Sequence, residues 1–376
     1  MNDKKKIKVY LQYPWRFPDS PYYKYLVENP PKDIIYLNTE NQKGVITNKK
    51  KFFLSNFLKK IIRKTMNSLN ISIPNAHLSP EGDYDIIHCC HCISKNKNKP
   101  WIMDIESEWQ LYIGNKTKKS KERVKKILLK ENCKKILAWT KETANQIIKE
   151  FPEIKNKIEV IYPAVPLYKK GNDKKDGKVT IFYATRYFWI KGGYIALEVF
   201  RRLKEEYKEK VNLIFISDVP KKIKRKYPDI EIKNLISNKK IIEYYKNSDI
   251  FFYPSFMDTF GFGQLEAMSF GLPIITIKTF YTKTKKEIIK NNKDGFIINV
   301  PDDVTLKNIK LKEKNIINKK EEKIINELFS KLRLLIENKK LREEMSKNCL
   351  EKIKRGKFSI NKRNKQLKKI YEEVLR

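Results

Sequence analysis

Residues 253–275 read Tyr-Pro-Ser-Phe-Met-Asp-Thr-Phe-Gly-Phe-Gly-Gln-Leu-Glu-Ala-Met-Ser-Phe-Gly-Leu-Pro-Ile-Ile. The apolar run 249–253 leads in and predicts a strand. Gly261 and Gly263 mark a loop, 263–269 a helix, and 273–277 a second strand. A strand, a glycine-containing loop and a helix N-terminus, in that order, present free backbone N–H groups and a partial positive charge, which suit phosphate oxygens. Glycine at the loop lets a ligand approach the backbone closely. Asp258 and Glu266 lie eight residues apart, one at the loop tip and one in the first turn of the helix. Each carboxylate can accept hydrogen bonds from vicinal hydroxyls, so the pair suits a hydroxyl-rich, phosphorylated ligand.

The same rhythm extends outward in both directions. Downstream, residues 296–300 predict a closing strand, 320–353 a charged helical region, and 358–375 an amphipathic helix with Leu367, Ile370, Tyr371 and Val374 on one face. Upstream, strands are expected at 179–184 and 211–216 and helices at 193–207 and 241–246. The N-terminal half offers strands at 8–13, 33–37, 85–89, 101–105 and 135–139, a helix at 141–150, and a final apolar run at 159–166. Residues 52–66 carry apolar side chains at helical spacing. Pro14, Pro18 and Pro21 read as breakers that open a loop. Continuous apolar strands alternating with helices imply a parallel α/β sheet. Two such halves imply two Rossmann-like domains facing a cleft, with ligands at the C-terminal ends of the strands. The expected division is 1–166, a lysine-rich linker at 167–178, 179–355, and a returning helix at 356–376.

The stretch at 253–275 resembles the donor-binding signature of the glycosyl transferases group 1 family, retaining enzymes of GT-B fold. That signature runs Pro-Ser-x-x-Glu-x-Phe-Gly-x-x-x-x-Glu-Ala-x-x-x-Gly-x-Pro. Pro254, Ser255, Phe260, Gly261, Glu266, Ala267, Gly271 and Pro273 match it, and Asp258 stands where it has Glu. The resemblance implies that Glu266 binds ribose hydroxyls, that Asp258 reaches toward the donor sugar, and that Gly261, Phe262, Gly263, Gln264 and Leu265 form the diphosphate-binding turn. Upstream, Phe182-Tyr183-Ala184-Thr185-Arg186 and Lys191-Gly192-Gly193 resemble the family's strand and loop with a basic pair five residues apart. Arg186 and Lys191 then stabilise the charge that develops on a departing nucleoside diphosphate, without a metal. Ser248-Asp249-Ile250-Phe251 and Asp294-Gly295-Phe296 resemble further family markers, and 358–371 its last helix, which crosses back onto the N-terminal domain. The resemblance covers 158–376 and, more weakly, 80–157. It implies a nucleotide-sugar donor, UDP- or GDP-linked, no other cofactor, and a glycan or lipid-linked acceptor.

The N-terminal half carries fewer markers. Residues 85–91 resemble the family's Asp-hydrophobic-hydrophobic-His-x-His strand. His88, Cys89, Cys90, His91 and Cys92 alternate between two faces of a strand, and the turn-length gaps of a structural zinc motif are missing, so no metal is expected. Glu106 occupies the place where many relatives carry a His near the donor sugar. With Asp104 and Glu108 it reads either as an acidic cluster orienting hydroxyls or as a solvated loop. Residues 13–18, Tyr-Pro-Trp-Arg-Phe-Pro, replace the glycine-rich loop found in relatives.

The net charge of +38 over 376 residues favours anionic partners. The lysines are dispersed and no nucleic-acid recognition motif occurs, so nucleic acid is not the expected partner. Segments 49–64 and 116–135 are basic enough to touch an anionic membrane, or form helices packed on the sheet with lysines outward. Five cysteines, three of them crowded, fit reduced thiols in a cytoplasmic setting. The start of the chain reads as no signal peptide, and no apolar stretch approaches the roughly 20 residues of a spanning helix. A cytoplasmic enzyme, peripheral at the inner face of the membrane if its acceptor is lipid-linked, is the expectation. A basic nucleic-acid binder and an inactive GT-B relative are the competing readings.

Overall fold

The computed structural model describes residues 6–14, 21–40, 57, 61, 64–66, 68–69, 71–168, 171, 177–234, 236–301 and 318–376. The chain forms two compact units, Met1–Ala164 with Lys357–Arg376, and Val165–Gly356. Of the segment expected as a linker, Tyr168 stacks on Phe270 at 4.6 Å and donates its N–H to the Ser269 carbonyl at 3.1 Å, so it packs with the second unit.

The first unit is built on strands β1 (Ile7–Gln12), β2 (Ile34–Leu37), β3 (Ile86–Cys90), β4 (Trp101–Ile105), β5 (Cys133–Ala138) and β6 (Ile158–Val160). They form one six-stranded sheet in the order β6-β5-β4-β3-β1-β2, with every pairing parallel. All five residues of β3 and of β4 are buried, as mostly apolar strands covered on both faces require, His88 and Asp104 being the polar exceptions. Helix α1 (Pro21–Glu28) corrects the expected loop at Pro21. In the first turn of a helix the missing proline N–H has no partner to lose, and the fixed φ suits the helix. Helix α2 (Lys118–Leu128) buries Val124 and Leu128 and turns its lysines outward. Of residues 49–64, only Phe57, Ile61 and Lys64 are described, and Trp15 to Pro18 lie outside the described residues. Helix α3 (Lys141–Glu150) follows β5 with a Thr140 N-cap.

Helix α9 (Ile360–Val374) belongs to this unit and buries Leu367, Ile370, Tyr371 and Val374, the face its spacing predicts. It also buries Arg363, which donates to the Asn29 carbonyl at 2.8 Å. The Tyr371 hydroxyl meets His88 Nδ1 at 2.7 Å and the Tyr36 hydroxyl at 3.1 Å. Behind it, His88 Nε2 lies 2.8 Å from Asp104 Oδ2, with both side chains fully buried. The approach is off-line, a close polar contact without an aligned hydrogen bond. Asp104 is therefore internal to the sheet and no part of a surface acidic cluster.

The second unit contains β7 (Val179–Ala184), β8 (Val211–Ile216), β9 (Ile232–Lys233), β10 (Ile250–Tyr253), β11 (Ile274–Lys278) and β12 (Gly295–Asn299). Their order is β9-β8-β7-β10-β11-β12, again all parallel. Helices α4 (Gly193–Tyr207), α5 (Asn238–Lys246), α6 (Phe262–Ser269), α7 (Lys319–Glu337) and α8 (Lys339–Lys354) accompany the sheet. Helix α4 buries Ile195, Leu197, Val199, Phe200 and Leu203, and α7 buries Ile324, Ile325, Leu328, Leu332 and Leu335, all in one apolar cluster with the strands. All five cysteines are free and buried. Among the described residues no helix is long and apolar enough to cross a membrane.

Candidate functional site

The chain order of the second sheet reverses between β7 and β10, which are hydrogen-bonded neighbours. In open parallel sheets the crevice beyond such a reversal is where ligands bind. The two loops that leave this point are 185–192 and 254–261, which carry the two motifs singled out in the sequence. They are tied together by backbone: the Phe256 N–H donates to the Ile190 carbonyl at 3.1 Å. Gly192 has φ +72°, and a Cβ there would stand 2.0 Å from the Pro254 carbonyl oxygen, so only glycine permits this close crossing.

The crossing sets the position of Lys191. Its ammonium donates to the Met257 carbonyl at 2.8 Å and lies 3.2 Å from Asp258 Oδ1. The Tyr253 hydroxyl donates to Asp258 Oδ2 at 2.6 Å. Both Asp258 oxygens are thus engaged by the protein, each with lone-pair capacity left for a further donor. Burial, with Asp258 beside it, holds the Tyr253 phenol well above its ordinary range, so it stays a donor. Arg186 opens the same loop and is half-buried.

Gly261 is the N-cap of α6, in the left-handed region at φ +99°. A Cβ at Gly261 would lie 2.2 Å from Gln264 Nε2 and 3.2 Å from Asp258 Oδ2, so its lack of a side chain is what lets the turn close. Phe262, Gly263, Gln264 and Leu265 form the first turn, whose backbone N–H groups have no intrahelical acceptor except where the turn tightens, as Gln264 N–H does to the Gly261 carbonyl at 3.0 Å. Gln264 and Leu265 are fully buried. Both polar atoms of the Gln264 amide lack a hydrogen-bond partner among the described residues. Glu266 follows on α6, half-buried, and its charge adds to burial in raising the Tyr245 phenol well above its ordinary range.

The sequence reading missed Lys285, a fully buried lysine in the turn Lys285–Ile288. Its ammonium donates to the Ser255 carbonyl at 2.8 Å, and its centre lies 5.4 Å from the Tyr253 ring. In so lysine-rich a chain nothing local distinguishes it. Glu106 belongs to the first unit, on the loop after β4. Gln110 holds it there: Oε1 accepts the Glu106 N–H at 2.9 Å, and Nε2 donates to Oε2 at 3.4 Å. Glu108 is ion-paired with Lys116 at 2.6 Å, so the three acids 104, 106 and 108 point to three different partners. Among the described residues no three His, Cys, Asp or Glu side chains group as a metal site.

Residues 165–327 match the family model described as Glycosyl transferases group 1. The second unit carries a glycosyl transferases group 1 domain. This glycosyltransferase domain holds Arg186, Lys191, Asp258, the turn at Gly261 and Glu266. A protein of Klebsiella pneumoniae described as "Uncharacterized 41.2 kDa protein in cps region" is 28% identical over 160 residues, 39% of this chain. The match spans 43% of that relative's length. Among solved structures, a glycosyltransferase from Rickettsia africae has a TM-score of 0.58 at 17% identity, covering 99% of this chain and 100% of that one. Anabaena Alr3699/HepE, solved in complex with UDP and glucose, has a TM-score of 0.57 at 12% identity, covering 98% and 100%. The pneumococcal O-GlcNAc transferase GtfA, in complex with UDP and GlcNAc, has a TM-score of 0.57 at 15% identity, covering 85% and 60%. At identities this low the structural likeness shows the fold alone, GT-B with two Rossmann-like sheets.

Proposed function

We propose that this chain is a retaining glycosyltransferase that moves a sugar from a nucleoside-diphosphate sugar, UDP- or GDP-linked, to a hydroxyl of a glycan or lipid-linked acceptor, without a metal. The observation that carries this reading is the meeting of two loops at the reversal of the second sheet. There a backbone-anchored lysine, a carboxylate and a helix N-terminus converge. The solved neighbours with UDP and a sugar bound support the donor class.

Breaking a glycosidic bond to a diphosphate leaves negative charge on the leaving oxygens. A cation already oriented toward them stabilises that charge without reorganising during the reaction. Lys191 is so held by Met257 and Asp258, and Arg186 supplies a second cation from the same loop. The α6 N–H groups take phosphate oxygens, and Glu266 takes the ribose hydroxyls. Asp258 orients Lys191 and offers its remaining lone pairs to the donor sugar. With retention, the leaving phosphate helps remove the acceptor proton, so no protein nucleophile is required. Glu106 and the first unit serve the acceptor side. The basic surface, +38 overall, favours a peripheral position on an anionic cytoplasmic membrane face.

Substituting Glu266→Ala is expected to raise the donor KM about 10- to 100-fold, the value of one or more hydrogen bonds to a charged acceptor, with a smaller fall in kcat. Nucleoside diphosphate release from UDP- and GDP-sugars in the presence of EDTA measures this. Turnover with an unchanged KM would remove Glu266 from the donor site, and turnover abolished by EDTA would overturn the metal-free mechanism.

A further inference from the structure

Lys285 satisfies three acceptors at once: the Ser255 carbonyl at 2.8 Å, Thr276 Oγ1 at 2.9 Å and the Ile277 carbonyl at 2.9 Å. All three are uncharged, so among the described residues the buried cation has no ion-pair partner in contact. The charged groups acting on it are Asp258, which favours its protonated form, and Lys191, which opposes it. The Tyr253 ring lies against both cations, 5.4 Å from Lys285 Nζ and 5.8 Å from Lys191 Nζ, while its hydroxyl holds Asp258. Two cations and one carboxylate leave this cluster one positive charge in excess when Lys285 is protonated. Burial brings Lys285 down to about 7 from its ordinary value near 10.5.

We propose that Lys285 is a buried positioning residue of the donor loop that takes up a proton when a nucleoside diphosphate binds. This rests on the donor-site reading above. A neutral amine has two N–H donors for three acceptors. Protonation supplies the third, so the Ser255 carbonyl, Thr276 and Ile277 are all held at once. Thr276 in turn donates its hydroxyl to the Tyr253 carbonyl at 2.5 Å, at the end of β10 where the motif begins. An arriving dianion favours the charged amine. By linkage, binding then draws one proton from solvent onto Lys285 Nζ in that fraction of molecules where it was neutral. The same linkage fixes the sign for stability. The folded chain binds fewer protons than the unfolded chain between pH 7 and pH 10.5, so stability rises with pH through that window.

The test is calorimetric titration of the full chain with UDP and with GDP at about pH 8, in two buffers of different ionisation enthalpy. Wild type is expected to take up about half a proton more per nucleotide than Lys285→Met. Equal uptake in the two proteins, with binding intact, overturns the proposal and leaves the donor site standing. Failure of both nucleotides to bind wild type overturns the donor-site reading and this proposal together. Where the methionine variant does not fold, the Lys285 ¹³Cε resonance in wild type is titrated instead. A midpoint near neutral pH that rises with whichever of UDP and GDP binds supports the proposal, and a midpoint above pH 9.5, or one that the bound nucleotide leaves unmoved, overturns it.

Discussion

Replacing Lys191 with methionine is expected to lower kcat by about 10²–10³, the usual cost of removing one preorganised electrostatic contact to a charge that develops in the transition state. The methionine keeps most of the apolar stem and removes only the ammonium. The effect concentrates in kcat because the charge on the leaving diphosphate grows as the bond breaks, so Lys191 acts more strongly on the transition state than on the bound donor. Two contacts fix the ammonium, Met257 O at 2.8 Å and Asp258 Oδ1 at 3.2 Å, and neither needs ligand to form. Initial rates over a donor concentration series separate kcat from KM. A rise in KM alone would make Lys191 a ground-state anchor.

The second large effect is on stability. Changing His88→Leu leaves Asp104, fully buried, without its 2.8 Å partner. Stripping a buried polar group of its partner costs about 1–3 kcal/mol, more where the group is charged. His88 also carries the Tyr371 hydroxyl at 2.7 Å, so the change loosens α9 from the first sheet. Equilibrium urea unfolding of the first unit's transition measures the loss. In the double variant His88→Leu with Asp104→Leu, most of the loss is expected to return, since no buried carboxyl group is left without a partner. A single variant as stable as wild type would show that the pair contributes nothing to this unit.

The parts of the fold that were legible are those set by local chemistry. Residues 101–105 and 179–184 are apolar runs interrupted only by Asp104 and Thr180, and each became a strand with those ends. The strand, glycine loop and helix at 250–269 were legible because Gly261, Gly263 and Pro254 punctuate a mostly apolar stretch. What was hidden depends on contacts distant in sequence. Pro21 breaks a helix interior and opens a helix start, and only the packing of Tyr22, Tyr23 and Leu26 decides between the two. Asp104 looks like its neighbours Glu106 and Glu108 until β3 places His88 beside it. Lys285 resembles every other lysine around it, and one of its acceptors, the Ser255 carbonyl, lies 30 residues earlier. The shortened acid at 258 acquires meaning only with Tyr253 and Lys191 on either side of it.

The central claim is that the loops at 185–192 and 254–266 bind a nucleotide sugar. Thermal unfolding of the full chain with a panel of UDP-, GDP- and ADP-sugars tests it most directly, since a ligand that binds only the native state raises its stability by about 2.7 kcal/mol at a hundred times Kd. The account predicts a rise in Tm with UDP- or GDP-sugars that Glu266→Ala diminishes. No rise with any member of the panel, or a rise that Glu266→Ala leaves intact, would contradict it.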